Sequence, residues 1–346
     1  MAEPAATTVT RGRGVLWFSA LRGTLGRPPV WLAVWSIEAA LALAPALLLQ
    51  QWLSGALEHR YEAGSQFGNL DTFFRFDHRR ADGELDTTNG TLGAVLAVFA
   101  VLAGVFCAGG WLQVFLERTR GHSLQRFFLG GARYFWRFLR LALLTVLALA
   151  AVTWLVHGTP WDTLVLRGLA GVPKGDLERL ESLDSESTAF LLRGAQHATY
   201  AVLVALLFVW GDYSRARLAL HDTASAIWSG ACTAFTMLRH PVKTLRPMIG
   251  LLVVETALVL AGGYVARSVE GEVGRSASLA GVALLLAIGQ IVLLWRVVLR
   301  GSRYHAAVQV SREVVRPIAR PDPWQASVGP EGPRYPIGGD EYGMSL

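Results

Sequence analysis

Cysteine is scarce in this chain. Cys107 and Cys232 are the only two among 346 residues, and neither sits in a CxxC or Cys/His spacing. This leaves no basis for a thiolate zinc site or a disulfide framework. Lysine is equally rare: Lys174 and Lys243 are the whole of it, and arginine carries the remaining basic charge. Catalytic signatures are missing too. No GxGxxG follows a strand-like run, and no Walker loop, HExxH or GxSxG occurs. We therefore expect no enzyme and no cofactor. Asp77, Asp82, Glu84 and Asp86 form an acidic stretch, but Arg79 and Ala81 stand where a calcium loop needs acids, so no metal site is expected either. The net charge of +6 is confined to a few segments, which reads as membrane topology and gives no nucleic-acid footprint.

What the chain does have is apolar length. Hydrophobic residues make up 52% of it, more than a soluble core of this size needs. Crossing about 30 Å of hydrocarbon takes about 20 helical residues. Six runs reach that length, near residues 30–53, 91–116, 139–157, 192–212, 247–267 and 279–299. The first starts too late and runs too long for a cleaved signal peptide. The polar stretches at the two ends, residues 1–13 and 317–346, are expected to be disordered extensions of a membrane domain spanning residues 14–316.

Loop charge orients the spans. The stretch 118–140 carries Arg118, Arg120, Arg126, Arg133, Arg137 and Arg140 without an acid, and the N-terminal arm, residues 211–246 and the segment after Trp295 are also basic. The intervening loops are acidic: residues 54–90 hold seven acids against four arginines, and residues 158–189 hold six acids against three bases. The alternation is unbroken. By the positive-inside rule it predicts six spans with both termini cytoplasmic, and the near-exclusive use of arginine over lysine, as in GC-rich bacterial coding, points to a bacterial inner membrane. Part of the 54–90 loop is expected to fold over the bundle mouth, and residues 174–189 to form a short amphipathic helix.

Three basic stretches repeat a further pattern. Residues 14–25, 124–138 and 224–238 place aromatic and aliphatic residues at helical spacing beside arginines. We read them as cytoplasmic amphipathic helices lying at headgroup level, with Arg126, Arg133 and Arg137 binding anionic lipid headgroups. Pro28, Pro29 and Pro241 end two of them just before a span. The competing reading is that these stretches simply extend the neighbouring spans. At an offset of one hundred residues, Phe128-Leu129-Gly130-Gly131 lies over Trp228-Ser229-Gly230-Ala231. The implied unit of span, basic elbow and span is a parallel internal repeat. The fold class is thus all-α: a six-span bundle with three interfacial helices.

Within that repeat one feature stands out. Ser36-Ile37-Glu38-Ala39-Ala40-Leu41 is echoed by Val253-Val254-Glu255-Thr256-Ala257-Leu258. A carboxylate in hydrocarbon costs a few kcal/mol on insertion scales. Glu38 and Glu255 are the candidate site: either a proton or cation relay or ion-paired packing elements. Gln113, Asp212, Arg215, Gln290 and arginines at the cytoplasmic ends are their candidate partners. Pro45 and Gly262, at matching positions beyond the two acids, loosen a helix on paper. Ala100-Gly104-Ala108 and Ala283-Ala287 allow close helix contact, within the bundle or in an oligomer.

The run Trp210-Gly211-Asp212-Tyr213-Ser214-Arg215-Ala216-Arg217, with an elbow ending Arg239-His240-Pro241, resembles a group of bacterial multi-pass proteins similar to the membrane domain fused to some glycerophosphodiester phosphodiesterases. The resemblance implies about six spans with basic elbows, and no catalysis in this chain. Two functions follow from the sequence. The first is a non-enzymatic component that organises lipids or partner membrane proteins. The second is a secondary transporter coupled to protons or cations through Glu38 and Glu255.

Overall fold

The computed structural model describes residues 16–57, 79–117, 122–168, 171, 186–276 and 279–314, and among these it is all-α. The elements are α1 (Leu16–Leu25), α2 (Pro28–Leu57), α3 (Arg79–Leu116), α4 (Ser123–His157), α5 (Glu186–His221), α6 (Ala226–Arg239), α7 (Pro241–Ser276) and α8 (Leu279–Val314). After α4 a single helical turn, Thr159–Trp161, runs into a π-helical turn, Asp162–Arg167. Six helices are long and apolar enough to cross a membrane: α2, α3, α4, α5, α7 and α8. They fit a multi-pass membrane protein. The N-terminal arm, the C-terminal tail, most of the expected 174–189 helix and the middle of the 54–90 loop lie outside the described residues.

Local chemistry sets the helix ends. Gly26 and Arg27 separate α1 from α2, whose Pro28 needs no amide hydrogen at a helix start. The Ser225 side chain caps α6 by accepting from the Trp228 amide at 3.2 Å. His240 ends α6 before Pro241 opens α7. Asp222 closes α5 in a left-handed conformation, φ 52°, which short polar side chains tolerate.

Two expectations change here. The stretch 124–138 is no separate elbow: it is the first half of the 35-residue α4. No proline or glycine lies between Ala132 and Leu149 to stop the helix, so the interfacial segment and the span fuse. Stretches 14–25 and 224–238 do appear as short helices, each ended just before a proline. The second change concerns the 54–90 loop, which loses both edges to α2 and α3; no proline stands between Arg79 and the apolar run.

Burial is uneven along the spans. We call the end holding α1, α6 and most of the arginines the basic end. The core lies there, built from Val30 and Val34 of α2, Trp111 and Phe115 of α3, Phe127, Tyr134 and Phe138 of α4, Tyr213 and Leu218 of α5, Met248 of α7 and Tyr304 of α8. Towards the other end most side chains are exposed, among them Leu43, Val98, Leu147, Phe190 and Leu260. One small cluster ties that end together, where Val156, Trp161 and Leu166 pack against Leu192, Tyr200 and Leu203.

The tightest helix contact is between α3 and α4. A Cβ on Gly109 would lie 2.7 Å from the Gly130 carbonyl, and one on Gly110 would strike Phe127. The close seam is thus Gly109-Gly110 against Gly130-Gly131, at the far end of the Ala100-Gly104-Ala108 row singled out in the sequence, of which Ala108 is buried. Around Gly104 there is open space. Ala283 and Ala287 are exposed. Gly262 does not loosen α7. It lets Val292 of α8 approach, where a Cβ would come within 2.5 Å. α6 packs through small residues: Ala226, Ser229, Gly230 and Thr233 are buried. Its large residues Ile227, Trp228, Phe235 and Leu238 face outward.

Candidate functional site

Three acids on three helices converge on α8. Arg296, Arg300 and Arg303 of α8 stand at i, i+4 and i+7, one face of a helix. Glu38 of α2 pairs with Arg300. Glu255 of α7 pairs with Arg303 at 2.5 Å and lies 3.8 Å from Arg296. Asp212 of α5 pairs with Arg303 at 3.3 Å and with its own neighbour Arg215 at 3.1 Å. Arg303 therefore joins Asp212 to Glu255, both nearly buried. Cys107 of α3 and Tyr304 of α8 lie against the same cluster.

The sequence singled out the acids and left their partners unspecific. Glu38 and Glu255 do face α8, but through different arginines, so they form two linked sites and no shared carboxylate pair. Of the candidate partners, Asp212 and Arg215 belong to the cluster. Gln113 and Gln290 do not: Gln113 donates to Glu117 just past the end of its own helix, and Gln290 accepts from the Trp35 indole at 3.1 Å. Arg296, Arg300 and Arg303 appeared in the sequence only as topology charge. The signal for them was their spacing on one face opposite two acids at matching depth.

A cavity of about 810 Å³ opens beside the cluster, walled by α3, α4, α5, α7 and α8. Its charged wall is Asp212, Arg215, Glu255, Arg296, Arg300 and Arg303, towards the basic end. Its other walls are apolar, with Val101, Val146, Leu149, Phe208, Val259 and Leu260 further from that end. The run from Leu252 to Leu260 gives it a depth of roughly 12 Å at 1.5 Å per residue. Glu255 lines this space. Glu38 does not, and reaches it only through Arg300.

No family model, curated protein or solved structure matches this chain. The geometry alone carries the functional reading.

Each of the three arginines expected at headgroup level is paired with an acid. Arg126 is 2% exposed and pairs with Glu117 at 2.9 Å. Arg133 and Arg137 share Asp222, at 3.4 Å for Arg133, and keep a quarter or so of their surface. They also hold the loop between α5 and α6 to α4. The indole of Trp210 donates to the Gly230 carbonyl at 2.9 Å, and Ser229 donates to the Ser214 carbonyl at 3.2 Å, which fixes α6 to α5.

Proposed function

We propose that this chain is a non-enzymatic multi-pass protein of a bacterial inner membrane that organises anionic lipid around it. The basic end faces the cytoplasm in this reading, following the arginine excess of the loops at that end. The observation that carries it is the orientation of α6. A helix in a water-soluble protein buries its large apolar residues. α6 buries Ser229, Gly230 and Thr233 and presents Ile227, Trp228, Phe235 and Leu238 outward, with Trp228 and Leu238 at 65% and 81% exposure. At the basic end of a membrane bundle, such a face belongs in the headgroup and acyl boundary. Trp136 of α4 is exposed in the same way, beside Arg133 and Arg137. Those two arginines retain surface for headgroup phosphates. Arg126, being buried, does not belong to that set.

A parallel internal repeat is part of this proposal. The offset glycines each pack on the preceding span, Gly130 of α4 against Gly109 and Gln113, and Gly230 of α6 against Trp210. A homo-oligomer or partner membrane protein could use the exposed Ala283 and Ala287.

The test is to excise the protein with its surrounding lipid in a polymer disc and weigh the phosphatidylglycerol fraction against the bulk membrane. Wild type should be enriched. A variant with Trp228, Phe235 and Leu238 changed to Ser should fall towards the bulk value. Equal fractions in both samples and the bulk would sink the proposal.

Glu255 at the edge of a cavity favours a second reading, a transporter coupled to protons or cations through Glu38 and Glu255. Against it, each carboxylate is held by a guanidinium, which suits a fixed charge better than a shuttle.

A further inference from the structure

We infer that the cavity between α3, α4, α5, α7 and α8 holds one phospholipid with a singly charged phosphodiester headgroup, its phosphate at Arg296 and its chains against the apolar walls. This deepens the lipid reading above but uses a different part of the molecule from α6.

Charge is the first argument. Among the described residues the cluster sets four guanidiniums, Arg215, Arg296, Arg300 and Arg303, against three carboxylates, Glu38, Asp212 and Glu255. One positive charge is left over inside a membrane-spanning bundle. An uncompensated charge there is costly, and a bound anion of charge minus one removes the surplus.

The second argument locates the surplus. Arg300 and Arg303 each have a close carboxylate, and Arg215 has Asp212. Among the described residues Arg296 has only Glu255 at 3.8 Å, beyond hydrogen-bond range, and Glu255 is already taken by Arg303. Its side chain is 45% exposed and lines the cavity. Its five N–H donors are fit for a phosphate, which a guanidinium grips with two parallel bonds.

The third argument is the grading of the walls. The lining changes from charged to apolar with distance from the basic end, over the roughly 12 Å between Leu252 and Leu260. A free anion would gain nothing from Val101, Val146, Leu149 and Val259. A lipid matches both parts, and the volume of about 810 Å³ accommodates a headgroup with the first segment of its chains. Val146, Phe208 and Leu260 are among the exposed residues, so the chains can continue sideways into the bilayer.

The experiment uses the full chain, stripped of lipid in detergent and titrated by native mass spectrometry. The probes are phosphatidylglycerol, phosphatidylcholine and glycerol 3-phosphate. Wild type should take up one phosphatidylglycerol per chain at least about tenfold more tightly than phosphatidylcholine, and should not retain glycerol 3-phosphate. Gly104→Leu fills the cavity from a position where a Cβ meets nothing within 4 Å, so it should fold normally. It should weaken phosphatidylglycerol binding by about tenfold or more, as should Arg296→Gln. The α6 triple-serine variant should leave this single site unchanged, which separates the cavity from headgroup anchoring. Retention of glycerol 3-phosphate, equal affinity for the two phospholipids, or unchanged binding in a folded Gly104→Leu variant would each overturn the proposal. A photoactivatable phosphatidylglycerol on wild type gives an independent readout. Adducts on Val146, Leu149 or Val259 support the site, and adducts confined to other surfaces refute it.

Discussion

The Arg303 guanidinium lies 2.5 Å from Glu255, with both side chains less than one-sixth exposed. Arg303 also serves Asp212 at 3.3 Å, so a single cation holds α5, α7 and α8 together. Removing one member of a buried ionic group is worse than replacing all of it, because the remaining charges lose their compensation.

Substitution of the shared cation should therefore cost more than substitution of either acid. Arg303→Gln leaves Glu255 with only a distant Arg296, and we expect a loss of about 3–5 kcal/mol. Glu255→Gln leaves Arg303 with Asp212, and should cost about 1–3 kcal/mol. Thermal unfolding in one detergent checks the order. A Glu255 variant less stable than the Arg303 variant would show that the network is not centred on Arg303.

Two glycines of the membrane helices should respond in opposite directions. An added Cβ at Gly130 would lie 2.2 Å from the Gln113 Cβ and 2.7 Å from the Gly109 carbonyl, so α3 and α4 must separate. Gly130→Ala should destabilise by about 1–3 kcal/mol. Gly104→Ala meets open space and should stabilise by up to about 1 kcal/mol through helix propensity. Melting temperatures of the two variants against wild type decide this. Equal shifts in one direction would contradict the placement of the seam.

The Trp210–Gly230 hydrogen bond predicts a local effect. Trp210→Phe keeps most of the ring but drops the bond, a change of about 1 kcal/mol. Hydrogen exchange should quicken in α6 and leave α3 and α4 as they were. Protection in α6 identical to wild type would mean that other contacts dock it.

Proton flux separates the two functional readings. In proteoliposomes with an imposed pH gradient, wild type should show no flux above empty vesicles, since Glu38 and Glu255 each hold an arginine. Flux that both Glu38→Gln and Glu255→Gln abolish, with folding intact, would establish the transporter instead.

The fold was largely legible because its signals are one-dimensional. Six apolar runs, Pro28 and Pro241 and the alternating loop charge locate the spans and two short helices without reference to neighbours. The failures came where the answer depends on a neighbour. Stretch 124–138 has interfacial composition, yet nothing in it stops the helix, and it fused with α4. Gly104 and Gly262 look alike as small residues in apolar runs. Only packing shows that one borders a cavity and the other admits Val292. Glu38 and Glu255 were visible because an acid in an apolar run is anomalous. Arg296, Arg300 and Arg303 stayed hidden because arginine near the end of a span is ordinary, and only the opposing acids give their shared face a meaning.

α1 packs on α8, the last helix of the described chain. Ser19 donates to Gln309 at 3.3 Å, and His305 donates from Nδ1 to the Ala20 carbonyl at 3.2 Å. Glu38 likewise waits for a cation 262 residues downstream. At a synthesis rate of about 5–20 residues per second, that interval lasts on the order of tens of seconds. For that time neither Glu38 nor α1 has the α8 partner it holds in the folded chain. The contacts that close the basic-end core thus form only once α8 has been made, so the first helices are the last to be fixed in place.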